Sequence, residues 1–418
     1  MILERVRAGA LAHPERLLVA APDGQWSWAA VAAEVDRRVL DAAPLRGETV
    51  ALQASATAAA LLRLIELEAR GARVVLLPPE MEPGREAEWM ARLGSGPSQP
   101  GEVVLFSSGT TGVPKGALHS WDTLSARVHR SAGLDGSRWL LTFALSAFAG
   151  LQVVLHALDN GGALVLYHGT PAEGGRTGAE HGVTHLSATP TFYRFLLATS
   201  PPEVLASLRP VQITLGGEVA DQGVLDALGR SFPQARLTHV YASTEAGAVF
   251  SVQDGRAGFP AAWLDSAATP LRIRDGELLV GRARGMKGYL GAHRADDGEL
   301  LATGDLVEVV GDRVLFRGRR SERIHVGGAK VDPSEVERVL LEVPGVVAVR
   351  VSGAPSSLMG QLVRAEVLLA PDRTPAAMRL ALRAHASERL RPQEVPRLWN
   401  FVDTFERTSS GKLVRRAT

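Results

Sequence analysis

The chain of 418 residues contains no cysteine. This absence excludes disulfides, thiolate nucleophiles and cysteine-ligated zinc, and it makes a reducing cytoplasm the expected compartment. Net charge is nearly absent as well, because 46 basic residues are balanced by 45 acidic ones. Bulk charge therefore gives no indication of a nucleic-acid or membrane-surface partner. The histidines are scattered, and we expect none of them to build a structural metal site.

Long apolar runs are absent too. No window approaches about eighteen uncharged apolar residues, so a membrane-spanning helix is not expected. The N-terminal segment MILERVRAGALAHPERLL carries charges throughout and lacks the apolar region of a signal peptide. What is present is an ordinary globular composition, with 45% hydrophobic and 22% charged residues, in a chain long enough for two or three domains.

The first part of the chain alternates between helical and strand-like patterns. Apolar residues at helical spacing over 26–43 and 57–72 are each followed by a short strand-like run, at 48–55 and 73–79. This βαβ rhythm predicts a largely parallel sheet with helices on its faces.

The later part of the chain changes character. From about residue 271 short antiparallel strands are predicted, with a hairpin signal at Gly311–Asp312, and DPSEVE at 332–337 is a good helix start in a compact α+β unit. We therefore predict an α/β protein. Residues 1–320 form a large N-terminal domain of mixed or parallel sheets flanked by helices, with a small β-subdomain, and residues 321–418 form a small mobile α+β domain.

The segment SSGTTGVPKG, residues 107–116, follows the apolar run EVVLF and has the composition of a phosphate-binding loop. Its glycines let backbone N–H groups approach an anion closely, and its hydroxyls and lysine add donors and positive charge. The same composition also suits a plain surface connector. It does not match the nucleotide P-loop G-x-x-x-x-G-K-[ST], because Pro114 precedes Lys115 and Gly116 follows it.

Four further motifs follow the loop, in the order YASTEAG at 241–247, TGD at 303–305, GRRSERIHVGGAKVDPSEVE at 318–337 and RTSSGK at 407–412. Thr244 suits a phosphate, Glu245 suits a divalent cation, and Asp305 is a carboxylate in a turn, suited to a ribose diol. With these motifs the chain resembles, over most of its length, the superfamily of acyl-CoA synthetases, nonribosomal-peptide adenylation domains and luciferases, which form acyl-adenylates. It is closest in type to aryl- or acyl-acid CoA ligases, with a shortened region before the phosphate loop.

The resemblance implies two half-reactions. A carboxylate attacks the α-phosphorus of ATP in the presence of Mg²⁺ and gives an acyl-adenylate and pyrophosphate. A thiol, of CoA or of a carrier protein's phosphopantetheine, then displaces AMP. Two anions must be brought together while charge on the phosphoryl oxygens is stabilised, so positioning and electrostatics supply most of the catalysis. ATP, Mg²⁺ and CoA are therefore the predicted cofactors.

The resemblance also implies roles for individual residues. The loop would wrap the β- and γ-phosphates through Ser107, Ser108, Gly109, Thr110, Thr111, Gly112 and Lys115. Thr244 would bond the α-phosphate and Glu245 would hold Mg²⁺. Lys412 would bridge the substrate carboxylate and the α-phosphate during adenylation. The plain alternatives are a solvated loop lysine for Lys115, a solvated carboxylate for Glu245 and a frayed basic tail for Lys412.

For the nucleoside, the resemblance implies that Tyr241 stacks on adenine, whose other side is lined by the GGE segment Gly216, Gly217 and Glu218. Asp305 would accept hydrogen bonds from the ribose hydroxyls, and Arg319 would lie near ribose or phosphate. The alternative for Tyr241 is an ordinary aromatic at a strand end. The alternative for Arg319 is an ion pair with an acid at the domain junction.

In this superfamily the small domain rotates after adenylation. Lys412 would leave the site, and the hairpin HVGGAK would face it, with Gly327 and Gly328 leaving room for a pantetheine arm and Lys330 among the cofactor contacts. The pivot position holds Ser321, where the family usually carries Asp or Lys. The exact position of the hinge therefore stays open.

The segment FALSAFAGLQ, residues 143–152, corresponds to the lining of the acyl pocket. Ala144 stands where amino-acid-activating members carry Asp, and a buried ammonium without that partner is costly, so an α-amino acid is disfavoured. Phe143, Phe148 and Gly150, with the alanines beside them, predict an apolar, flat slot for aryl or modest aliphatic acids. The alternative is that these aromatics only pack the core.

The acceptor and the class of protein have alternatives too. The motif GGAKVDPSEVE resembles the CoA-ligase version of its segment and so favours CoA, with a free-standing enzyme that loads a carrier protein as the alternative. A non-catalytic nucleotide-binding relative is expected to lose Lys412 or Glu245, and both are present. The Pro-Lys-Gly sequence disfavours a P-loop ATPase or kinase. A monomer and a homodimer are both compatible with the sequence.

Overall fold

The computed structural model describes residues 2–82, 84–93, 98–107, 115–264, 266, 270–281, 285–290 and 300–406. Up to residue 252, helices alternate with strands that are mostly parallel, as predicted. The elements before residue 135 are α1 (Ile2–Ala12), β1 (Leu17–Ala21), β2 (Gly24–Ser27), α2 (Trp28–Val39), β3 (Thr49–Gln53), α3 (Ala58–Ala69), β4 (Arg73–Leu77), α4 (Glu86–Arg92), β5 (Glu102–Ser107), β6 (Lys115–Ser120) and α5 (Trp121–Ser125). Those between residues 138 and 252 are β7 (Arg138–Leu141), α6 (Phe148–Asp159), β8 (Ala163–Val165), α7 (Pro171–Glu180), β9 (His185–Ala188), α8 (Pro190–Thr199), α9 (Pro202–Ser207), β10 (Gln212–Gly216), α10 (Gln222–Ser231), β11 (Arg236–Ser243) and β12 (Gly247–Val252).

Beyond residue 252 the strands pair almost entirely antiparallel, and a 3₁₀ turn at Arg320–Glu322 separates two groups of elements. The first group is β13 (Phe259–Pro260), β14 (Leu271–Arg274), β15 (Glu277–Gly281), β16 (Gly288–Tyr289), β17 (Leu300–Val310) and β18 (Arg313–Arg319). The second is β19 (Ile324–Val326), β20 (Ala329–Val331), α11 (Pro333–Leu341), β21 (Val346–Ser356), β22 (Gly360–Leu369), α12 (Pro375–Arg389) and β23 (Leu398–Phe401). The predicted hairpin at Gly311–Asp312 joins β17 to β18, with Val310 paired to Arg313.

The strands of the described residues form four sheets. The largest has the order β12–β11–β10–β9–β7–β8–β1–β2, and its strands from β11 to β1 are parallel. The second has the order β16–β6–β5–β4–β3, and the third is antiparallel with the order β13–β18–β17–β15–β14. The fourth joins β20–β19–β22–β21 with β23 and consists of residues that follow the 3₁₀ turn. This is the predicted α/β class.

Helices α1, α2, α3 and α6 fill the space between the largest sheet and the second sheet and form the main apolar core. Trp28 of α2, Ile65 of α3 and Leu151 of α6 are completely buried there. Burying a side chain of this size contributes about 1.5–3 kcal/mol. The other face of the largest sheet is covered by α8 and α10, through residues such as Tyr193 and Leu228. Among the helices in the described ranges, none combines the length and the apolar character that crossing a membrane requires.

Local sequence determines where several helices begin. Four polar side chains precede helices α2, α3, α8 and α10, and each accepts a hydrogen bond from the backbone N–H three residues on: Ser27, Thr57, Thr189 and Asp221. Such N-caps satisfy a backbone donor that has no partner within the helix. Asp332 caps α11 at the predicted position, and Pro333 follows it in the first helical turn.

The topology brings several loops to one edge of the largest sheet. Strands β7, β9, β10 and β11 are parallel neighbours, so their carboxyl ends lie side by side. The segments that leave these ends begin at residues 142, 189, 217 and 244. Open α/β sheets bind ligands in the crevice outside the carboxyl ends of their parallel strands. The fold therefore aligns the predicted acyl, adenine and phosphate segments along one edge.

The fourth sheet contacts the rest of the chain at an apolar patch and an ion pair. Phe195 of α8 packs in a buried cluster with Val347, Leu368 and Phe405. On the other side, Nη1 of Arg317 in β18 lies 3.3 Å from a carboxylate oxygen of Glu335 in α11. The apolar contact is made by α8, and the ion pair is made by β18 just before the 3₁₀ turn.

We predict opposite effects for the same substitution in two helices. A Cβ added at Gly9 of α1 would lie 2.1 Å from two ring carbons of the buried Trp28, so Gly9→Ala should lower the free energy of unfolding by about 1–3 kcal/mol. Gly229→Ala in α10 is the control, because its Cβ would meet Leu237 at an ordinary 3.9 Å and alanine favours a helix. Chemical denaturation measures both effects, and an unchanged stability of Gly9→Ala would contradict the packing of α1 on α2.

Candidate functional site

The turn after β11 is held by groups from the second sheet. Thr244 and Glu245 form this turn, and Nε2 of His119, on β6, lies 2.8 Å from the carbonyl oxygen of Thr244. The backbone N–H of Met286 donates to the carbonyl oxygen of Glu245 at 2.9 Å, and the hydroxyl of Tyr289, on β16, donates to Glu245 Oε1 at 3.1 Å. Both predicted residues of the turn are therefore fixed from outside their own sheet.

Lys115 lies close to the same turn. It is the first residue of β6, its side chain is exposed, and its Nζ is 5.4 Å from the centroid of the Tyr289 ring. An ammonium over an aromatic face is attracted by the electron density of the ring. Tyr289 thus has a cation at its ring and the Glu245 carboxylate at its hydroxyl. The predicted phosphate-binding lysine and the predicted metal-binding carboxylate therefore both contact the side chain of Tyr289.

The phosphate loop is described only at its two ends. Ser107 closes β5 and pairs with Lys115 across the β5–β6 ladder. Five predicted loop contacts lie outside the described residues, namely Ser108, Gly109, Thr110, Thr111 and Gly112. The predicted adenylation residue Lys412 lies outside them as well.

Tyr241, Asp305 and Arg319 form one hydrogen-bonded group. The hydroxyl of Tyr241 donates to Asp305 Oδ2 at 2.6 Å, and Nε of Arg319 donates to Asp305 Oδ1 at 2.8 Å. Burial and the Asp305 carboxylate raise the pKa of Tyr241, so its phenol stays protonated and donates. Its ring stacks near Phe250 and Phe316, at centroid distances of 5.2 and 5.1 Å. An adenine stacked on Tyr241 would contact a ring that already packs against Phe250 and Phe316.

The setting of Asp305 corrects the prediction of a turn. Asp305 lies inside β17, where the pairing with β15 shifts its register between Ala302 and Leu306. Gly304 has a φ of 75°, and Oγ1 of Thr303 donates to the carbonyl of Leu278 in the neighbouring strand. The glycine therefore produces a bulge within a strand, not a turn between strands, because both flanks of TGD are paired.

The GGE segment ends β10 at the carboxyl edge of the sheet. Gly217 has a φ of 82°, a left-handed conformation that glycine adopts at little cost. Glu218 Oε2 accepts a hydrogen bond from the N–H of Thr191, in the first turn of α8, at 3.0 Å. Glu218 thus connects the first turn of α8 to the loop after β10, next to the backbone of Gly216.

The predicted acyl segment runs into the interior. Phe143, Ala144 and Phe148 are 2%, 7% and 8% exposed. A Cβ on Gly150 would lie 2.1 Å from the carbonyl oxygen of Ala144, so the first turn of α6 needs glycine for this close approach. The rings of His119 and Phe148 have centroids 6.0 Å apart. The segment is therefore part of the core on one side and adjoins the Thr244 turn, through His119, on the other.

The β19–β20 hairpin carries the predicted glycines at its tip. Gly327 and Gly328 have φ of 56° and 86°, as a two-residue turn with two left-handed residues requires. A Cβ on Gly327 would meet Met359, whereas one on Gly328 would meet no described atom within 4 Å. Lys330 is exposed on β20, and Ser321 is exposed in the 3₁₀ turn.

Glu245 is the predicted metal-binding carboxylate of the site. Within the described part of the chain, no group of three or more His, Cys, Asp or Glu side chains is arranged to hold a metal ion. A nucleotide-bound Mg²⁺ takes one or two protein carboxylates and completes its shell with phosphate oxygens and water. The one carboxylate at the turn therefore fits a magnesium ion that arrives with a nucleotide.

Three side chains at the site have no role in the sequence prediction. His119 and Tyr289 contact the Thr244–Glu245 turn over 125 and 44 residues of sequence, and no local motif signals such contacts. Ser146 lies within the predicted acyl segment, and its buried hydroxyl has no hydrogen-bond partner among the described residues. A buried hydroxyl without a partner is costly. The sequence places a serine at position 146, but only the packing shows that its hydroxyl has no partner among the described residues.

Comparison with known proteins finds matches to AMP-binding enzymes and to CoA ligases. A family model described as AMP-binding enzyme matches residues 97–290, and one described as AMP-binding enzyme C-terminal domain matches residues 335–412. A 2-succinylbenzoate–CoA ligase of Bacillus pumilus is 30% identical over 343 residues, which are 75% of this chain and 67% of that protein. A 4-chlorobenzoate–CoA ligase of a Pseudomonas species is 27% identical over 364 residues, 77% of this chain and 65% of the relative.

Similarity extends to a much longer protein and to solved structures. The probable non-canonical nonribosomal peptide synthetase CymA of Salinispora arenicola is 31% identical over 75% of this chain, but over 4% of its own length. The chain thus spans about two thirds of the CoA ligases and a small part of the synthetase. The crystal structure of the anthranilate–CoA ligase AuaEII has a TM-score of 0.80 at 19% identity, covering 99% of this chain and 95% of that one. This likeness confirms the predicted fold.

Asp332 is a half-buried carboxylate that follows the 3₁₀ turn containing Ser321. A Cβ on Gly318 would lie 2.2 Å from its Oδ1, so the carboxylate packs directly on the backbone of β18. Burial raises the pKa of Asp332 to about 6, with a smaller contribution from Glu335, while Arg323 opposes the shift. The folded protein therefore binds a proton at Asp332 more tightly than the unfolded chain does.

We predict that Asp332 makes stability depend on pH. Because its pKa is raised on folding, its stabilising protonation is complete below about pH 4 and is lost as the pH rises through about 6. Asp332→Asn keeps an N-cap acceptor and removes this titration. The stability of the variant relative to the wild type should thus increase between pH 4 and pH 7, as measured by urea denaturation at both pH values. A difference that does not change with pH would contradict the prediction.

Proposed function

The chain belongs to the AMP-binding enzyme family, and from this membership we propose that it activates a carboxylic acid with ATP and passes the acyl group to the thiol of CoA. The first half-reaction forms an acyl-adenylate and pyrophosphate, and the second releases AMP. One observation carries the proposal: the Lys115 ammonium lies over the ring of Tyr289, and the Glu245 carboxylate accepts from its hydroxyl, beside the carboxyl edge of a parallel sheet. A cation and a carboxylate at this edge suit a nucleoside triphosphate with its magnesium ion.

Charge is the main problem that this site has to solve. The attacking carboxylate and the α-phosphate are both anionic, and their repulsion decreases only if cations and fixed donors lie around them. When bound, Mg²⁺ would neutralise part of the phosphate charge. Thr244 offers a hydroxyl to the α-phosphate, Glu245 holds the metal, and Lys115 contacts the outer phosphates together with the loop that begins at Ser107.

The nucleoside end of the site uses the Tyr241–Asp305–Arg319 group. Asp305 already accepts from Tyr241 and from Arg319, but a carboxylate has about four lone-pair sites and retains acceptors for ribose hydroxyls. Nε of Arg319 pairs with this carboxylate and places a positive charge beside it. Tyr241 presents an aromatic ring to adenine at the end of β11, and Gly216 and Gly217 lie at the end of the adjacent strand.

An aryl acid is the substrate class that we favour. Ala144 provides no carboxylate for a substrate ammonium, and Phe143 and Phe148 make the surroundings apolar. The CoA ligases that the chain resembles are named for 2-succinylbenzoate and 4-chlorobenzoate, which are both aryl acids. The hydroxyl of Ser146, which has no partner among the described residues, is available for a polar substituent on such a ring.

The second half-reaction requires a change of domain orientation in this proposal. Lys412 serves adenylation and then leaves, and the tip of the β19–β20 hairpin takes its place. Gly328 has open space around its Cβ position, as a narrow pantetheine passage requires. Ser321, in the 3₁₀ turn between the third and fourth sheets, is the proposed hinge, and Lys330 is a proposed contact of the acceptor.

A carrier protein's phosphopantetheine is the second candidate acceptor. The relatives include a nonribosomal peptide synthetase as well as CoA ligases, and the pantetheine arm is chemically the same in both acceptors. The two are distinguished by offering CoA and a phosphopantetheinylated carrier protein to the same acyl-adenylate. Thioester formation with the carrier alone would replace CoA by the carrier in the proposal.

Pyrophosphate exchange tests the first half-reaction. With a panel of aryl and aliphatic acids, we expect acid-dependent return of labelled pyrophosphate into ATP, and Glu245→Gln should lower the rate about 100-fold or more because the metal ligand loses its charge. Glu308→Gln is the control, since Glu308 is an exposed carboxylate on β17. Release of inorganic phosphate without exchange would indicate an ATPase and overturn the proposal.

The two half-reactions should separate by mutation. Lys412→Ala should lower adenylation about 100-fold or more but largely spare thioester formation from a supplied acyl-adenylate. Gly328→Phe should do the reverse by blocking the pantetheine arm. Arg415→Ala is the control in the same tail. Gly311→Phe is the control for strain, because Gly311 also has positive φ and open space in a hairpin. Equal loss of both half-reactions in Lys412→Ala would count against its assigned role.

A further inference from the structure

His119 is a buried titratable side chain that the proposed reaction does not use. It lies on β6, four residues after Lys115, and is 1% exposed. Its Nε2 is 2.8 Å from the carbonyl oxygen of Thr244, and its Nδ1 is 3.3 Å from Oγ1 of Thr123. Both ring nitrogens therefore have partners, and one of these partners belongs to the turn that carries Glu245.

The partners determine the tautomer of the His119 ring. A carbonyl oxygen only accepts, so Nε2 carries the hydrogen and donates it to Thr244. Burial lowers the pKa of His119 to about 4, against the opposing effect of the Thr244 carbonyl and the Glu245 charge, so the ring is neutral at neutral pH. Nδ1 then lacks a hydrogen and faces Oγ1 of Thr123, whose own hydrogen is donated to the carbonyl of Ser120. The bond to Thr244 fixes the orientation of the ring.

The carbonyl of Thr244 belongs to the peptide that joins the two predicted site residues. A change in ψ of Thr244 or in φ of Glu245, the torsions on either side of this peptide, would displace the carboxylate of Glu245 relative to the hydroxyl of Thr244. The following carbonyl, that of Glu245, accepts from the N–H of Met286, and a Cβ on Gly285 would lie only 2.2 Å from it. The segment after residue 284 thus holds one side of the turn. His119 holds the other side, from β6.

His119 also adjoins the predicted acyl segment. Its ring centroid is 6.0 Å from that of Phe148, at the start of α6. One rigid ring therefore lies between the turn for phosphate and metal and the wall of the acyl slot. His119 makes a hydrogen bond to the turn but only packs against Phe148. Loss of the hydrogen bond should change nucleotide binding, whereas loss of the packing should change acid binding.

We propose that His119 is a positioning residue: through its Nε2–H bond to the Thr244 carbonyl, it holds the Thr244–Glu245 peptide in the orientation that binds a magnesium nucleotide. This inference rests on the proposed function. It assigns no chemical step to the imidazole. The residue acts through Thr244 and Glu245, and its contribution is to nucleotide affinity.

The test compares two substitutions that differ in one donor. His119→Gln places an amide N–H at the same number of bonds from Cβ as Nε2, and His119→Leu fills similar space without a donor. Affinity for ATP with Mg²⁺ is measured by calorimetry in the absence of acid, and exchange kinetics give the KM for ATP and for the acid. We expect His119→Leu to weaken ATP–Mg²⁺ binding about tenfold or more and to leave the KM for the acid within about twofold. His119→Gln should recover most of the affinity.

The matched control is another buried histidine that bonds a backbone carbonyl. Nε2 of His239 lies 3.0 Å from the carbonyl oxygen of Arg256, away from the turn. His239→Leu should lower the thermal midpoint about as much as His119→Leu does, without changing the affinity for ATP–Mg²⁺. This separates loss of a structural hydrogen bond from loss of nucleotide positioning.

Each outcome decides the question. Unchanged ATP–Mg²⁺ affinity in His119→Leu, or equal losses in the Leu and Gln variants, would overturn the inference. A change confined to the KM for the acid would assign His119 to the acyl slot instead and would overturn it as well. The wild type could bind ATP–Mg²⁺ and yet show no pyrophosphate exchange with any acid of the panel. The proposed function would then fail, while the calorimetric comparison of the variants would still decide the role of His119.

Discussion

The hydrogen bonds that hold the Thr244–Glu245 turn are the constraint on which the site depends. The turn belongs to the largest sheet, but its carbonyls and its carboxylate are bonded by His119, Met286 and Tyr289, which lie on or next to the second sheet. Because β6 also carries Lys115, strand pairing sets the distance between cation and carboxylate. The site is therefore as rigid as the β5–β6–β16 ladder that supports it.

The acyl segment is subject to a second constraint, which comes from the core. Phe148 packs in the layer of helices between the largest sheet and the second sheet, and Gly150 lets α6 approach the carbonyl of Ala144. A close-packed interior changes shape only at a cost of about 1–3 kcal/mol for overpacking. In the proposed function, the choice of acid is thus coupled to the packing between the largest sheet and the second sheet, and Ser146 is a polar residue within the predicted acyl segment.

Much of the fold could be predicted because its signals are local. Helical spacing, the Asp332 cap, the hairpin at Gly311–Asp312 and the ordered motifs are properties of neighbouring residues, and the structure and the matching family models agree with them. The TGD motif was misjudged for the same reason. Its glycine does bend the chain, but pairing with β15 on one flank and β18 on the other makes the bend a bulge inside a strand.

The sequence by itself determined the family, the α/β class and the identity of Lys115, Thr244, Glu245 and Asp305 as candidates, since these depend on residue type and order. Only the tertiary structure decided which groups hold them. The bond of His119 to Thr244, the bond of Tyr289 to Glu245 and the bond of Tyr241 to Asp305 join elements of different sheets. Such contacts arise from sheet order and layer packing, and no local pattern encodes which strands become neighbours.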